Sequence, residues 1–378
     1  MATGKRRKDL YSTKNIRAKN TNYMMLIGMR SNGKSFAVKH DCIEDAWRSL
    51  KEHDGNECHA KFIYLRRWDA DIKESYVTEY FSDMTEAKNG YKAVNTITEG
   101  QWDSVVGYQG YLYFARLDEA SGRYARSARI GRYLALNMAE RYKSQAFIGY
   151  KTLIFEEFIT DSMYLENEPK RVFQIISTIF RDENADIFMI ANTLSRVIPY
   201  VNDWGLKNLI HMKPGTIDVY HFTKEDGTVI DFAVENCEVV KTKSKMFFGN
   251  AAKQIQGGQW DVDEYPGLEK PKEFYERLYE LKVKYQDFTF CLQLLYDPKA
   301  DGPLVYIYPF TSNRKIERVI SDDFSVNPMH TACLKSKIRA ERIINECMHN
   351  GKVCYSDNLT GTDFKAVYAH FKFGGILL

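Results

Sequence analysis

Short apolar runs alternate with amphipathic stretches through the first two hundred residues. NYMMLIG at 22–28, KFIYLRR at 61–67, KTLIFEEF at 151–158 and ADIFMIANT at 185–193 have the length and β-branched or aromatic content of buried strands. Between the last two, EPKRVFQIISTIFRD places Val172, Ile175, Ile176, Ile179 and Phe180 at helical spacing, so one face of that helix is expected to pack on the sheet. Strand and helix in alternation predict an α/β fold around a mainly parallel sheet. From about residue 208 the pattern changes to NLIHM, IDVYHF and, after an EDG turn signal, TVIDFAVENC, which predicts a short antiparallel continuation.

The stretch FFGNAAKQIQGGQWDVDEYPG at 247–267 breaks all periodicity and reads as a linker or hinge. Beyond it, KPKEFYERLYELKVKY predicts a helix beginning near Pro271, with Phe274, Leu278, Leu281 and Tyr285 along one face. DFTFCLQLLYD, PLVYIYPFT and RKIERVISD then predict three strands, TACLKSKIRAERIINECMHN a helix, KVCYSDN a strand and DFKAVYAHF a final helix. With 378 residues, two domains are expected: 1–243, a linker at 244–268, and a small α/β domain at 269–378. There is no internal repeat and no low-complexity tract.

Composition narrows the class without deciding it. An aromatic content of 14% suits a packed globular protein. Seven cysteines, an odd number without a C-x-x-C pair, argue against a disulfide framework or zinc ribbon and favour a reducing, cytosolic setting. His40, His53 and His59 lie near Cys42 and Cys58, but their spacings match no metal-ligand pattern. No stretch reaches the roughly 18 to 20 apolar residues of a membrane span, and no signal peptide is evident. Net charge is +3, yet the first twenty residues carry seven Lys or Arg against one Asp, which reads as a solvated tail or, second, as an arm for a polyanion.

Chemistry enters at GMRSNGKS, Gly28 to Ser35, which matches G-x-x-x-x-G-K-[ST] between an expected strand and an expected helix. Gly28 and Gly33 let the backbone curl so that N–H groups face a phosphate, with Arg30, Ser31 and Asn32 in the cradle between them. Lys34 would reach the β and γ phosphates of ATP, and the Ser35 hydroxyl would ligate Mg2+. TLIFEEF then supplies Glu156 for magnesium and Glu157 as general base for the attacking water, the alternative being an ordinary polar strand end. Asn192 could lie beside the γ-phosphate or simply form a turn. Arg181 could complement a helix dipole or serve a neighbouring subunit as an arginine finger. Arg66 and Arg67 end one strand, and Arg123, Arg126, Arg129 and Arg132 recur every third residue with Tyr124 and Tyr133 among them. Such a run reads as a solvated face or as contact with a phosphate backbone without sequence preference.

LIGMRSNGKSFAVK, KFIYLRRW, KTLIFEEFI and TIFRDENADIFMIANT followed by VIPY, in that order, resemble the genome-packaging ATPases of phi29-like tailed phages. The resemblance implies an ASCE-type phosphate-loop ATPase domain and an RNase H-like carboxy-terminal domain. It implies a homo-oligomeric, pentameric ring that uses ATP and Mg2+ to drive double-stranded DNA through the portal into a procapsid. The setting implied is the host cytoplasm and, transiently, the portal vertex, with no place in the mature virion; some relatives also use a structural RNA. Carried onto this chain, it supports Lys34 and Ser35 as phosphate and magnesium contacts, Glu157 as base and Arg181 as a finger acting in trans. It adds Lys143, in AERYKSQAF, as a second basic residue reaching a neighbour's nucleotide. One departure is Glu156, where the family usually has Asp. Another is DFTFCLQLLYD, which has carboxylates only at its ends, Asp287 and Asp297, so a nuclease-like fold without nuclease activity is expected. The rival readings are another phosphate-loop ATPase of phage assembly or secretion, and a nonhydrolytic DNA- or capsid-binding protein.

Overall fold

The computed structural model describes residues 10–238, 260–321 and 338–373, apart from 88, 119, 162, 182, 224, 226, 261, 268–270, 272, 312–314 and 317. The stretch read as a linker lies mostly outside the described residues, as does the start of the helix expected at 331–350. By contact density the chain divides into two compact units, the first comprising 1–160, 164–193 and 199–259, the second 161–163, 194–198 and 260–378.

In the first unit a short helix, α1 (Lys14–Arg17), precedes β1 (Tyr23–Ile27), which leads into α2 (Lys34–Glu52) and β2 (Lys61–Arg66). Three short helices follow, α3 (Glu74–Tyr80), α4 (Ser82–Thr85) and α5 (Ala93–Ile97), then a meander of β3 (Ser104–Tyr108), β4 (Tyr111–Asp118) and β5 (Arg123–Ala135). Next come β6 (Tyr150–Glu156), α6 (Glu168–Phe180), β7 (Asp186–Ile190), α7 (Pro199–Asp203) and the hairpin β8 (Thr216–Thr223) and β9 (Val229–Asn236). The sheet order is β3-β4-β5-β2-β6-β7-β1-β9-β8. The strands from β5 to β9 in that order run parallel, and an antiparallel hairpin closes each edge.

The mainly parallel α/β architecture is therefore as expected, and the four strands read from apolar runs are β1, β2, β6 and β7. All five apolar residues of α6 named above are buried, each stabilising by about 1.5–3 kcal/mol relative to exposure. Two details differ. NLIHM is a 3-10 turn at Leu209–His211 rather than a strand, and β9 joins β1 in parallel, so only β8 is an antiparallel continuation. Arg17 also belongs to the fold and not to a solvated tail: it pairs with Asp41 at 3.0 Å and Asp186 at 2.6 Å.

The second unit holds β10 (Glu276–Tyr285), β11 (Phe288–Asp297), β12 (Gly302–Pro309), β13 (Val319–Ser321), α8 (Arg339–His349), β14 (Val353–Tyr355) and α9 (Asn358–Phe373), with sheet order β13-β10-β11-β12-β14. Residues 276–285, expected as helix, are a strand. Leu281, Val283 and Tyr285 are buried in alternation with Lys282 and Lys284, and the strand pairs with β11 through Leu281–Leu292 and Val283–Phe290. A helix would have turned Lys282 and Lys284 away from the period-2 pattern that LKVKY spells, while leaving β11 without this neighbour. The apolar helical spacing was incidental: Phe274 and Leu278 are exposed.

Candidate nucleotide site

Parallel pairing brings the carboxyl ends of β1, β2, β6 and β7 to one edge of the sheet, where ligands bind in open α/β folds. GMRSNGKS leaves β1 there and enters α2 through Gly33, the residue before the helix, in a left-handed conformation with φ 95°. A Cβ on Gly33 would also lie 3.0 Å from the Leu10 Cβ, so glycine is required for space as well as for φ. Tyr11 braces the loop from outside, its N–H donating to the Asn32 carbonyl at 2.9 Å and its hydroxyl to Glu235 at 2.7 Å.

Lys34 is buried and its Nζ donates to the Met29 carbonyl at 2.8 Å, the Gly28 carbonyl at 3.2 Å and Asn192 Oδ1 at 3.4 Å. Burial lowers its pKa. The structure thus brings Asn192 to the loop lysine. Asn32 Oδ1 accepts from the Lys34 N–H, while its Nδ2 is buried without a partner, a donor that suits an anion in the cradle. Arg30 and Ser31 are exposed at the rim.

Glu156 ends β6 and is buried. Its Oε1 accepts from the Tyr80 hydroxyl at 2.5 Å, and the Ser35 hydroxyl lies near enough to favour its charged form. Burial raises the Glu156 pKa, opposed by these two hydroxyls and by the charges of Lys39 and Arg66. A buried carboxylate near the loop serine offers oxygen donors of the kind Mg2+ takes, so the extra methylene of Glu relative to Asp does not remove it from the loop. Lys39, also buried, donates to Asp83 and to the Tyr80 carbonyl, each at 2.6 Å. Ser35 and Lys39 are four residues apart on α2, so the spacing signalled a shared face; nothing in the sequence signalled Tyr80.

Glu157 differs sharply from its neighbour. It has φ 59°, its N–H donates to the Ile190 carbonyl at 2.7 Å, and its carboxylate points outward, with 52% of the side chain exposed. Arg66 holds that carboxylate at 2.7 Å and reaches Asp71 at 3.6 Å. Arg67, named from sequence as a DNA contact, is corrected by burial: it pairs inside the fold with Glu168 at 2.7 Å, so no donor is presented to a polyanion.

Arg181 and Lys143 lie elsewhere. α6 starts beside Arg67 at the carboxyl edge and runs back about 20 Å over its 13 residues, so Arg181, directly after it, sits at the opposite edge. A depression of about 450 Å³ extends along α6 from Lys170 in its first turn past Ser177 to Arg181, with Lys143 also lining it. Lys143 pairs with Glu140 at 2.6 Å.

The arginine run occupies β5. Arg126 lies 3.9 Å from the Tyr108 ring centre and Arg129 3.8 Å from that of Tyr111; Arg132 is 5.0 Å from Tyr111. The aromatics interleaved with the charges thus come from neighbouring strands, which the sequence run could not show. Tyr133 is buried and its hydroxyl accepts from the Gly110 N–H at 2.8 Å, whereas Arg123 and Tyr124 are exposed.

No protein-family model matches the chain. The DNA packaging protein of Bacillus phage phi29 is 22% identical over 338 residues, 86% of each chain, and that of Bacillus phage PZA is 22% identical over 340 residues, again 86% of each. The chain resembles phi29-type DNA packaging proteins. Among solved structures, the crystal structure of the N-terminal domain of the DNA packaging ATPase from bacteriophage phi29 aligns with a TM-score of 0.41 and 20% identity, covering 63% of this chain and 99% of that one. The phi29-type likeness spans both units, so it extends beyond the phosphate loop.

Proposed function

We propose that this chain is an ATPase subunit of a ring-shaped motor that drives double-stranded DNA into a procapsid. The observation that supports the reading is the separation of two groups of candidate residues across the sheet. The phosphate loop, Ser35, Glu156 and Glu157 share the carboxyl edge, while Arg181, beyond the far end of α6, and Lys143 line a depression that leaves both available to a neighbouring subunit's nucleotide. The likeness to phage DNA packaging proteins supplies the substrate class.

In this reading the backbone N–H groups of the loop and Lys34 bind the phosphates, exchanging the Gly28 and Met29 carbonyls for phosphate oxygens. Ser35 and Glu156 hold magnesium, which when bound neutralises developing phosphate charge. Glu157 takes a proton from the attacking water, and Asn192, beside Lys34, is placed to register the γ-phosphate. Arg181 and Lys143 complete the neighbour's site. Arg123, Arg126 and Arg129 offer charge to the DNA backbone, with Arg66 a further contact once parted from Glu157. The domain boundaries at 243 and 268 and the pentameric state belong to this reading, as do the portal as docking partner and the cytoplasmic setting. The carboxy-terminal unit is read as lacking nuclease activity, because its first strand, β10, carries no Asp and β11 carries no carboxylate between Asp287 and Asp297; nicking of DNA with magnesium or manganese would overturn that.

ATP turnover with and without duplex DNA tests the proposal. DNA should stimulate turnover, and Lys34→Ala should abolish most of it, about 10²- to 10³-fold. A rate indifferent to DNA removes the motor; a rate indifferent to Lys34→Ala removes the site.

A further inference from the structure

Arg67 is buried and makes four hydrogen bonds through its guanidinium, and neither the phosphate chemistry nor DNA contact uses it. Its guanidinium forks onto Glu168, Nε to Oε2 at 2.7 Å and Nη2 to Oε1 at 2.9 Å. The remaining donors go to backbone: Nη1 to the Glu157 carbonyl at 3.0 Å and Nη2 to the Phe158 carbonyl at 2.9 Å. Glu168 in turn accepts from the Tyr200 hydroxyl at 2.6 Å and from the Leu165 N–H at 2.9 Å.

These contacts land on two functional places at once. Glu157 has φ 59°, a left-handed conformation that a non-glycine residue keeps only when its surroundings impose it. Two consecutive carbonyls of that turn are fastened by one planar, permanently charged group. Glu168 is the first residue of α6, the helix whose far end is followed by Arg181.

We infer that Arg67 is a positioning residue for hydrolysis: it imposes the backbone that aims Glu157 and ties that turn to the first residue of α6. This rests on the reading of Glu157 as the base. Lys cannot substitute, since an ammonium lacks the fork that serves a carboxylate and two carbonyls together.

Arg67→Lys in the full chain tests this, with Glu168→Gln as a volume-conserving second variant. Maximal ATP turnover should fall about 10- to 100-fold in Arg67→Lys, while the dissociation constant for ADP moves less than about threefold, because the phosphate loop is untouched. Amide hydrogen exchange at 158–160 should speed up in both variants, with exchange in β1 and β7 unchanged. An unchanged rate, or turnover and ADP affinity falling together alongside faster exchange throughout the sheet, would overturn the inference by showing a merely structural ion pair. Wild-type protein that turns over no ATP defeats the parent reading instead. Hydrogen exchange at 158–160 then judges Arg67 alone, and unchanged exchange there sinks it.

Discussion

The two edges of the parallel sheet in the first unit are built on opposite principles. At the carboxyl edge Lys34 is held by loop carbonyls, Glu156 by Tyr80 and Glu157 by Arg66. Away from it, Lys170, Lys143 and Arg181 line a depression that runs along α6 towards the other edge, all three exposed, with Glu140 as the ion-pair partner of Lys143. In the proposed reading the acids at one edge and the cations away from it are complementary halves of a site shared between subunits. The difference teaches where rigidity belongs. On that reading, groups that must meet a phosphate and metal within a fraction of an ångström are pre-organised in one chain, and groups offered to a neighbour stay exposed.

The largest expected effect attacks the exposed edge. Arg181→Ala should reduce DNA-stimulated turnover by about 10³- to 10⁵-fold if the residue acts as a finger. Mixing Arg181→Ala subunits with Glu157→Gln subunits should then restore part of the rate through interfaces that pair an intact base with an intact arginine. Absence of recovery at every ratio, with co-assembly verified, would place Arg181 outside the neighbour's site.

A smaller effect is expected at the held edge. Tyr80→Phe removes the hydrogen bond on Glu156 but keeps the ring stacked on Tyr64, whose centre is 4.3 Å away. The magnesium concentration needed for half-maximal binding of a fluorescent ADP should rise about tenfold, since a hydrogen bond to a charged group is worth about 1.5–3 kcal/mol. An unaltered magnesium requirement would mean that Ser35 alone positions the carboxylate.

The smallest effect lies outside both edges. Asp363, in the second unit, is buried, which pushes its pKa up from 3.8 to about 6 although Arg196 stands 3.4 Å away and pulls it down. The folded unit therefore holds this proton more tightly than the unfolded chain does. That contribution is fully present below the ordinary carboxylate range and is lost as pH rises through about 6. Denaturant unfolding of wild type should show this loss, at most about 3 kcal/mol, and Asp363→Asn should flatten it; parallel pH profiles would refute the assignment.

What could be read in advance follows the range of the interactions involved. GMRSNGKS and TLIFEEF carry their meaning locally, as a loop between strand and helix and as a strand ending in two acids, so their places were legible. Residues 276–285 misled because Phe274, Leu278, Leu281 and Tyr285 fit a helix face as well as LKVKY fits a strand, and only the partner strand β11 decides between them. Arg67 misled for a related reason: Glu168 is 101 positions away, and no pattern near either residue marks the pair. Tyr80 and the tyrosines under Arg126 and Arg129 were invisible on the same grounds.

By itself the sequence determined that this chain carries a glycine-bounded loop between strand and helix, a pair of strand-ending acids and a mainly parallel sheet, because glycine placement, apolar periodicity and short motifs act over a few residues. Tertiary structure alone decided which of two adjacent glutamates is buried against Tyr80, which of two adjacent arginines is locked inside, and that Arg181 stands at the edge opposite the loop. Adjacent residues on a strand end or turn face different surroundings, and those surroundings are assembled from segments far apart in the chain.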